Sequence, residues 1–211
     1  MIIIRNEKEN EYKLVEEIIR KSFYNQYVPG CFEHYLAHII RSHEDFIHEL
    51  DFVAEVDGKV VGNIMYTKAK LIDEKGEEKT ILTFGPLCVL PEFQRKGIGK
   101  MLMNTSFEKA VELGYDVIVI FGSPSNYVGS GFKSCKKYNI SVEGGKFPTA
   151  MIVKELKENV LDGRKWYYHQ SPAMFFDEKE AELYDASLPK MEKKFTPSQE
   201  EFFILSNSFL D

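Results

Sequence analysis

Between Leu87 and Lys100 the chain reads Leu-Cys-Val-Leu-Pro-Glu-Phe-Gln-Arg-Lys-Gly-Ile-Gly-Lys, and the chemistry this stretch offers is anion binding. A strand of about Thr80–Leu90 is stopped by Pro91, a glycine-bearing loop follows, and Ile98, Met101, Leu102, Thr105 and Ala110 then recur at helical spacing. The first N–H groups of a helix have no intrahelical acceptor and lie at the positive end of its dipole, so a helix that begins at the glycines presents a ready anion site. Gly97 and Gly99 carry no side chain to hold a phosphate off the backbone, and Arg95, Lys96 and Lys100 add positive charge. Two better-known phosphate loops do not fit. The nucleotide-hydrolase loop needs a longer glycine spacing ending in Lys-Ser/Thr, and the dinucleotide fingerprint needs three glycines with an acidic residue after the next strand. The plain alternative is a pair of glycines that merely permits a tight strand-to-helix turn.

Groups for proton transfer are fewer. No Glu or Asp stands within Thr80–Leu90, and Glu55, on the neighbouring strand, is the carboxylate expected to reach the site, through water. His34, His38, His43 and His48 cluster on or just after the second predicted helix, where their pKa range suits a base. His34 and His38 share a helix face at metal-ligand spacing, yet no third ligand motif accompanies them; they are expected to face solvent, and no metal is expected. Cys31, Cys88 and Cys135 are widely spaced and odd in number, which points to neither a disulfide framework nor a zinc site. Cys88 has no base beside it in sequence and is expected to pack rather than react.

The elements that must position these groups follow from periodicity. Met-Ile-Ile-Ile-Arg reads as an opening strand. Leu14, Val15, Ile18, Ile19 and Phe23 then mark a first helix, and Phe32, Tyr35, Leu36, Ile39 and Ile40 a second. Alternation through Phe52, Ala54 and Val56, the Asp57-Gly58 turn, a strand over 60–70 and the strand ending at Leu90 make a three-strand meander. Gly85-Pro86 interrupts the last of these, predicting a bulge or splayed pairing. Asp116–Phe121 is a short, nearly continuous apolar strand, so strand, glycine loop, helix and buried strand form a βαβ unit. Beyond it come a helical turn near Ser125–Ser130, a strand from about Phe132 and another at Thr149–Leu156. Residues 157–211 read as an extension: a strand at Trp166-Tyr167-Tyr168, a helix at Asp177–Tyr184, and a final helix opened by the capping box Thr196-Pro197-Ser198-Gln199.

Gln94-Arg95-Lys96-Gly97-Ile98-Gly99 resembles the Q/R-x-x-G-x-G/A signature of the GNAT superfamily of N-acetyltransferases, and the order of strands and helices along residues 1–156 resembles that family too. Gly-Pro-Leu before the loop and Ser123-Pro124 after it are similar to a branch with largely unassigned substrates. The resemblance implies an α/β (α+β) fold: a mixed, mostly antiparallel central sheet flanked by helices, with residues 1–156 as the acetyltransferase domain and 157–211 as a strand-and-helix extension packed on it. It implies acetyl-CoA as co-substrate, its pyrophosphate on Gln94–Lys100 and its pantetheine arm against the backbone of Leu87, Cys88 and Val89, in a V-shaped opening between the strands at 82–90 and 116–121. Tyr127, four residues before Gly131-Phe132, resembles the family's Tyr-x-x-x-Gly-Phe ending and is thereby implied as the acid that protonates the departing thiolate. Ser123 and Asn126 are implied as further cofactor contacts, more loosely. The acceptor pocket is expected between the segment holding Tyr24 and Tyr27 and the chain after Phe132. The aromatics of the extension (Trp166, Tyr167, Tyr168, Phe175, Phe176) are expected to cover that pocket, to form the extension's own core or to make a homodimer contact.

Composition bounds the partners. A net charge of -6 disfavours nucleic acid, whose binders carry a basic face. No apolar run is long enough for a signal peptide or a bilayer span, so a reduced, cytoplasmic protein is expected. The function expected is transfer of an acetyl group to a primary amine, on a small molecule or a protein, in a ternary complex; the rival is a non-catalytic acyl-CoA sensor built on the same loop.

Overall fold

The computed structural model describes residues 1–211. Val15, Ile18, Ile19 and Phe23 form the buried stripe of α1 (Tyr12–Phe23), which follows the opening strand β1 (Ile2–Asn6), and Leu36, Ala37 and Ile40 do the same for α2 (Glu33–Ile40). At the predicted hairpin, Asp57 (φ 49°) and Gly58 (φ 82°) are both left-handed, as a two-residue turn matched to strand twist requires. They join β2 (Phe52–Val56) to β3 (Lys59–Asp73), and β4 (Glu78–Val89) completes the meander.

The register of β3 on β4 slips by one residue between Ile64↔Leu87 and Tyr66↔Phe84. The slip falls at Gly85-Pro86, whose peptide bond is cis, so the interruption expected there is present. It also sets which side chains meet which layer. Tyr66 and Phe84 face the helix α3 (Ile98–Glu112), where the Tyr66 hydroxyl lies 2.7 Å from that of Ser106. Cys88 faces Ser22 of α1 on the other side. The strand β5 (Val117–Phe121) then runs parallel to β4, in register at the single pair Leu82↔Ile118. Past that pair the two strands separate, leaving the V expected between them.

The short helix α4 (Pro124–Tyr127) leads to β6 (Lys133–Ser134), β7 (Ile140–Ser141), β8 (Phe147–Pro148) and β9 (Met151–Glu155). The strand expected from about Phe132 is only two residues long, because the Ser134 hydroxyl accepts from Lys136 N–H and turns the chain into a 3-10 segment. Strand order in the main sheet is β1-β2-β3-β4-β5-β9-β6, antiparallel except for β4/β5 on this path: a mixed, mostly antiparallel sheet flanked by helices.

The extension contributes β10 (Trp166–His169), α5 (Glu178–Ala186), α6 (Pro197–Ser206) and β11 (Phe209–Leu210). β10 pairs with β3 where β2 no longer does, burying Trp166 and Tyr168 against Leu71, Ile81 and Val119; β11 pairs with β8. Asp177 caps α5, its side chain accepting from Lys179 and Glu180 N–H. The capping box predicted for α6 is not formed. Thr196 holds the N-cap position, but its hydroxyl donates to Asn25 O (2.7 Å), and Gln199 Nε2 donates to the same carbonyl (3.0 Å). Both side chains are spent on a tertiary contact, fastening the extension to the loop after α1. No helix is long and apolar enough to cross a membrane.

Candidate active site

The V between β4 and β5 opens into a cleft of about 620 Å³. One wall is the last turn of α1 and the loop beyond it (Ser22, Phe23, Gln26, Tyr27); β4 contributes Leu87, Cys88 and Val89, and α4 with the turn after it contributes Asn126, Tyr127 and Ser130. The glycine loop closes one end with Gln94, Arg95, Gly97, Ile98, Gly99 and Lys100. Tyr27 and Tyr127, 100 positions apart in sequence, thus line the same opening. Of the residues the sequence assigned to the cofactor, Lys96 and Ser123 are the two outside this lining. Lys96 Nζ instead donates to Glu92 O (3.0 Å) and lies over the Phe93 ring, while the Ser123 hydroxyl pairs with that of Ser125 (2.9 Å).

The main chain of the loop is the unusual part. Gly97 is left-handed (φ 82°) and caps α3, and Arg95 is left-handed too (φ 62°). The first amide with an acceptor is Met101 N–H, bonded to Gly97 O at 3.0 Å; the six amides of residues 95–100 make no hydrogen bond within the protein. They lie on an exposed loop at a helix N-terminus, the arrangement in which successive N–H groups cradle an anion. A side chain at Gly97 would meet no atom within 4 Å, so the glycine serves the backbone angle and the open approach, not packing. The Gln94 side chain turns back and donates to Val89 O (3.0 Å), tying the loop to the end of β4. Because Leu90 N–H donates to Val61 O across the β3 ladder, alternation aims the amides of Leu87 and Val89 into the open V. That edge offers main-chain groups to any extended arm lying in the cleft.

Tyr127 stands on the wall opposite Tyr27. Its ring packs on Phe84 and Phe132, with centroids 5.9 and 5.8 Å away, and it leans over Gly122 so closely that a Cβ there would fall 2.6 Å from the ring. Burial, reinforced by the Tyr27 phenol nearby, holds the Tyr127 hydroxyl above the ordinary phenol range, so at neutral pH it carries a proton to give. Burial likewise pushes the Cys88 thiol up to about 12, which leaves it protonated and unreactive.

The other proton-transfer candidates are elsewhere. Glu55 lies on the β1/β2 edge of the sheet, opposite Ile3, where Arg5 Nε donates to it at 2.9 Å; it does not line the cleft. Its role there is an ion pair in a small cluster, since Arg5 also forks onto Glu11. His34, expected at the surface, is fully buried between Cys31 Sγ (3.4 Å) and Asp185 (3.3 Å), because α5 docks on α2. His38 is half exposed and stacks on Tyr184. No group of His, Cys, Asp or Glu is arranged to hold a metal. Tyr24 also points away, its hydroxyl donating to Met191 O (3.1 Å). Nothing in the sequence marks Ser22, Phe23 and Gln26 as cleft residues: the first two end an ordinary amphipathic helix and Gln26 lies in the loop after it, and only the packing of α1 on β4 brings them to the cleft.

Residues 12–128, more than half of the chain, match the acetyltransferase (GNAT) family. The uncharacterized N-acetyltransferase YhbS of Escherichia coli is 25% identical over 150 residues, a match covering 71% of this chain and 84% of that protein. YjhQ, another uncharacterized N-acetyltransferase of Escherichia coli, is 34% identical over 88 residues, 41% of this chain; the match spans about half of that relative, 47% of its length. Among solved structures, YhbS in complex with CoA aligns with a TM-score of 0.67 at 23% identity, over 80% of this chain and 89% of that one. A GNAT family acetyltransferase from Brucella melitensis in complex with acetyl-CoA aligns with a TM-score of 0.63 at 20% identity, over 83% of this chain and 99% of that one. At these identities the two structural matches establish the likeness of fold.

Proposed function

The chain belongs to the acetyltransferase (GNAT) family, and on that premise we propose that it transfers an acetyl group from acetyl-CoA to a primary amine, on a small molecule or a protein, by direct attack in a ternary complex. One observation carries this reading: the six unpartnered amides of residues 95–100 sit at one end of a cleft that also holds Tyr127. On this reading the amides, with Arg95 and Lys100, take the pyrophosphate, and the free edge of β4 at Leu87–Val89 pairs with the pantetheine arm. Relatives whose structures contain CoA and acetyl-CoA have the same fold, which supports the assignment. Residues 157–211 are an extension packed on the same domain.

The chemistry asked of the chain is then modest. The amine nitrogen adds to the thioester carbonyl, and a β4 amide facing the V supports the charge that develops on oxygen. As the C–S bond breaks, the sulfur leaves with the bonding pair and Tyr127 Oη supplies its proton; the products are an amide and CoA. The lining of the cleft includes no Asp, Glu or His, so the amine's own proton passes to solvent, and the rate rises with pH toward the pKa of the free amine. The same lack of a base favours one second reading, a domain that binds acyl-CoA without turning it over.

Calorimetric titration of CoA and acetyl-CoA into the wild type and into Gly97→Trp tests the site. Binding to the wild type and a loss of roughly 100-fold or more in the variant is expected, with the variant still folded, because the indole occupies the approach to the amides. A folded wild type that binds neither ligand ends the proposal. Binding without thiol release across a panel of amines leaves the sensor.

A further inference from the structure

The narrow end of the V is plugged, and the plug bears on which acyl groups the site accepts. Phe84 lies two residues past Leu82, the last β4 position registered with β5, and is 7% exposed. Its ring centroid is 5.2 Å from Tyr66, 5.9 Å from Tyr127 and 6.1 Å from Phe132. Phe132 is 1% exposed and is backed in turn by Phe107, 6.0 Å away. The Tyr66 hydroxyl, 2.7 Å from the Ser106 hydroxyl, fixes the far side of the stack on α3. Four rings therefore fill the space behind Tyr127, and none of the four lines the cleft. Such a layer is close-packed and cannot yield to added volume without moving rings off their rotamers.

We infer that Phe84, seated on Phe132, is the residue that limits acyl-chain length in this site, admitting two- and three-carbon acyl groups and excluding longer ones. The inference rests on the proposed reading of the cleft, in which Tyr127 stands at the sulfur. An acyl group attached there and directed toward the vertex of the V runs toward the Phe84 ring, which packs directly against Tyr127. Behind Tyr127 the pocket ends on the rings of Phe84 and Phe132, neither of which lines the cleft. A single methylene too many in a pocket of fixed size lowers affinity by about tenfold or more.

The test is a chain-length series: CoA, acetyl-, propionyl-, butyryl- and hexanoyl-CoA titrated by calorimetry into the wild type, Phe84→Leu and Phe84→Ala. The quantity read is the affinity of each acyl-CoA relative to free CoA within the same protein, so a general weakening of the site cancels. In the wild type the ratio is expected to hold for acetyl and propionyl and to fall about tenfold or more by butyryl, with hexanoyl lower still. Phe84→Ala is expected to recover at least tenfold in the hexanoyl ratio, and Phe84→Leu, which keeps more of the core filled, to recover part of it. Hexanoyl-CoA binding the wild type as well as acetyl-CoA overturns the inference while leaving the cofactor site intact. So does a folded Phe84→Leu or Phe84→Ala that binds CoA with the wild-type length profile. Absence of binding by every ligand, CoA included, removes the parent reading and this inference with it.

Discussion

Of the cleft and a second, larger groove, the smaller is the better candidate for the active site. The groove between α1, the end of α2 and the extension is about 1170 Å³, nearly twice the cleft. Its buried charges, however, are consumed by one another. Glu16 accepts from Arg41 (3.0 Å) and Tyr184 (2.7 Å), Arg41 forks onto Glu7, and Arg20 holds Asp185 at 2.7 Å and Pro189 O at 2.8 Å. The cleft is the reverse: six amides in succession have no partner, and a neutral phenol waits at the inner wall. Unsatisfied donors held in place by a rigid strand and helix mark a ligand site more surely than volume does. The groove is where the extension is fastened to the body; the cleft is where the chain has groups left over.

The comparison predicts that damage to the two regions separates cleanly. The largest effect is expected at the cleft: Tyr127→Phe should lower kcat with a reactive amine by about 100-fold or more while changing CoA affinity little and the melting temperature by a few degrees at most. A variant that loses CoA affinity as steeply as turnover would assign Tyr127 to packing and remove its proposed role as acid.

Next in size, Asp185→Ala leaves Arg20 buried without its counter-charge and should cost about 3–5 kcal/mol of stability, read from denaturant midpoints. CoA affinity of the folded variant should stay within a few-fold of wild type. A loss of cofactor binding larger than the loss of stability would show that the groove and the cleft are coupled, and the contrast drawn between them would fail.

The smallest effect depends on pH. His34 is held neutral by burial, which lowers its pKa from an ordinary 6.5 to about 4 despite the opposing pull of Asp185. Between those values the unfolded chain takes up a proton that the folded one refuses, so stability falls as pH drops from 6.5 toward 4, by on the order of 2–3 kcal/mol. His34→Asn should flatten this limb in a urea series at pH 4, 5.5 and 7. An unchanged limb would place the acid sensitivity in another group. Acetyl-CoA binding, which the groove does not touch, should show no matching inflection.

Much of the architecture could be read directly from the residues, wherever a local rule was enough. The Asp57-Gly58 turn, the stripes of α1 and α2 and the break at Gly85-Pro86 each follow from a few neighbouring residues. Local rules fell short where a side chain had two uses. Thr196 and Gln199 are sound capping residues that the structure turns onto Asn25 O, and His34 is a polar residue on a short helix that docking of α5 buries. Glu55 shows the same limit at the site itself: adjacency of β2 to the meander made it a plausible base, yet strand pairing with β1 places it beside Arg5.

What the sequence by itself determined is the glycine loop and its setting, because a strand stop, two glycines and a helix start act through the backbone within about a dozen residues. The family match falls on the stretch that contains them. What only the tertiary structure decided is everything that depends on distance across the sheet. The splay of β4 from β5, the wall from α1, the rings behind Tyr127 and the sequestration of Glu55 and His34 are set by which strands pair and which helices cover them. Those pairings are fixed by burial summed over the whole core, and no window of neighbouring residues carries that sum.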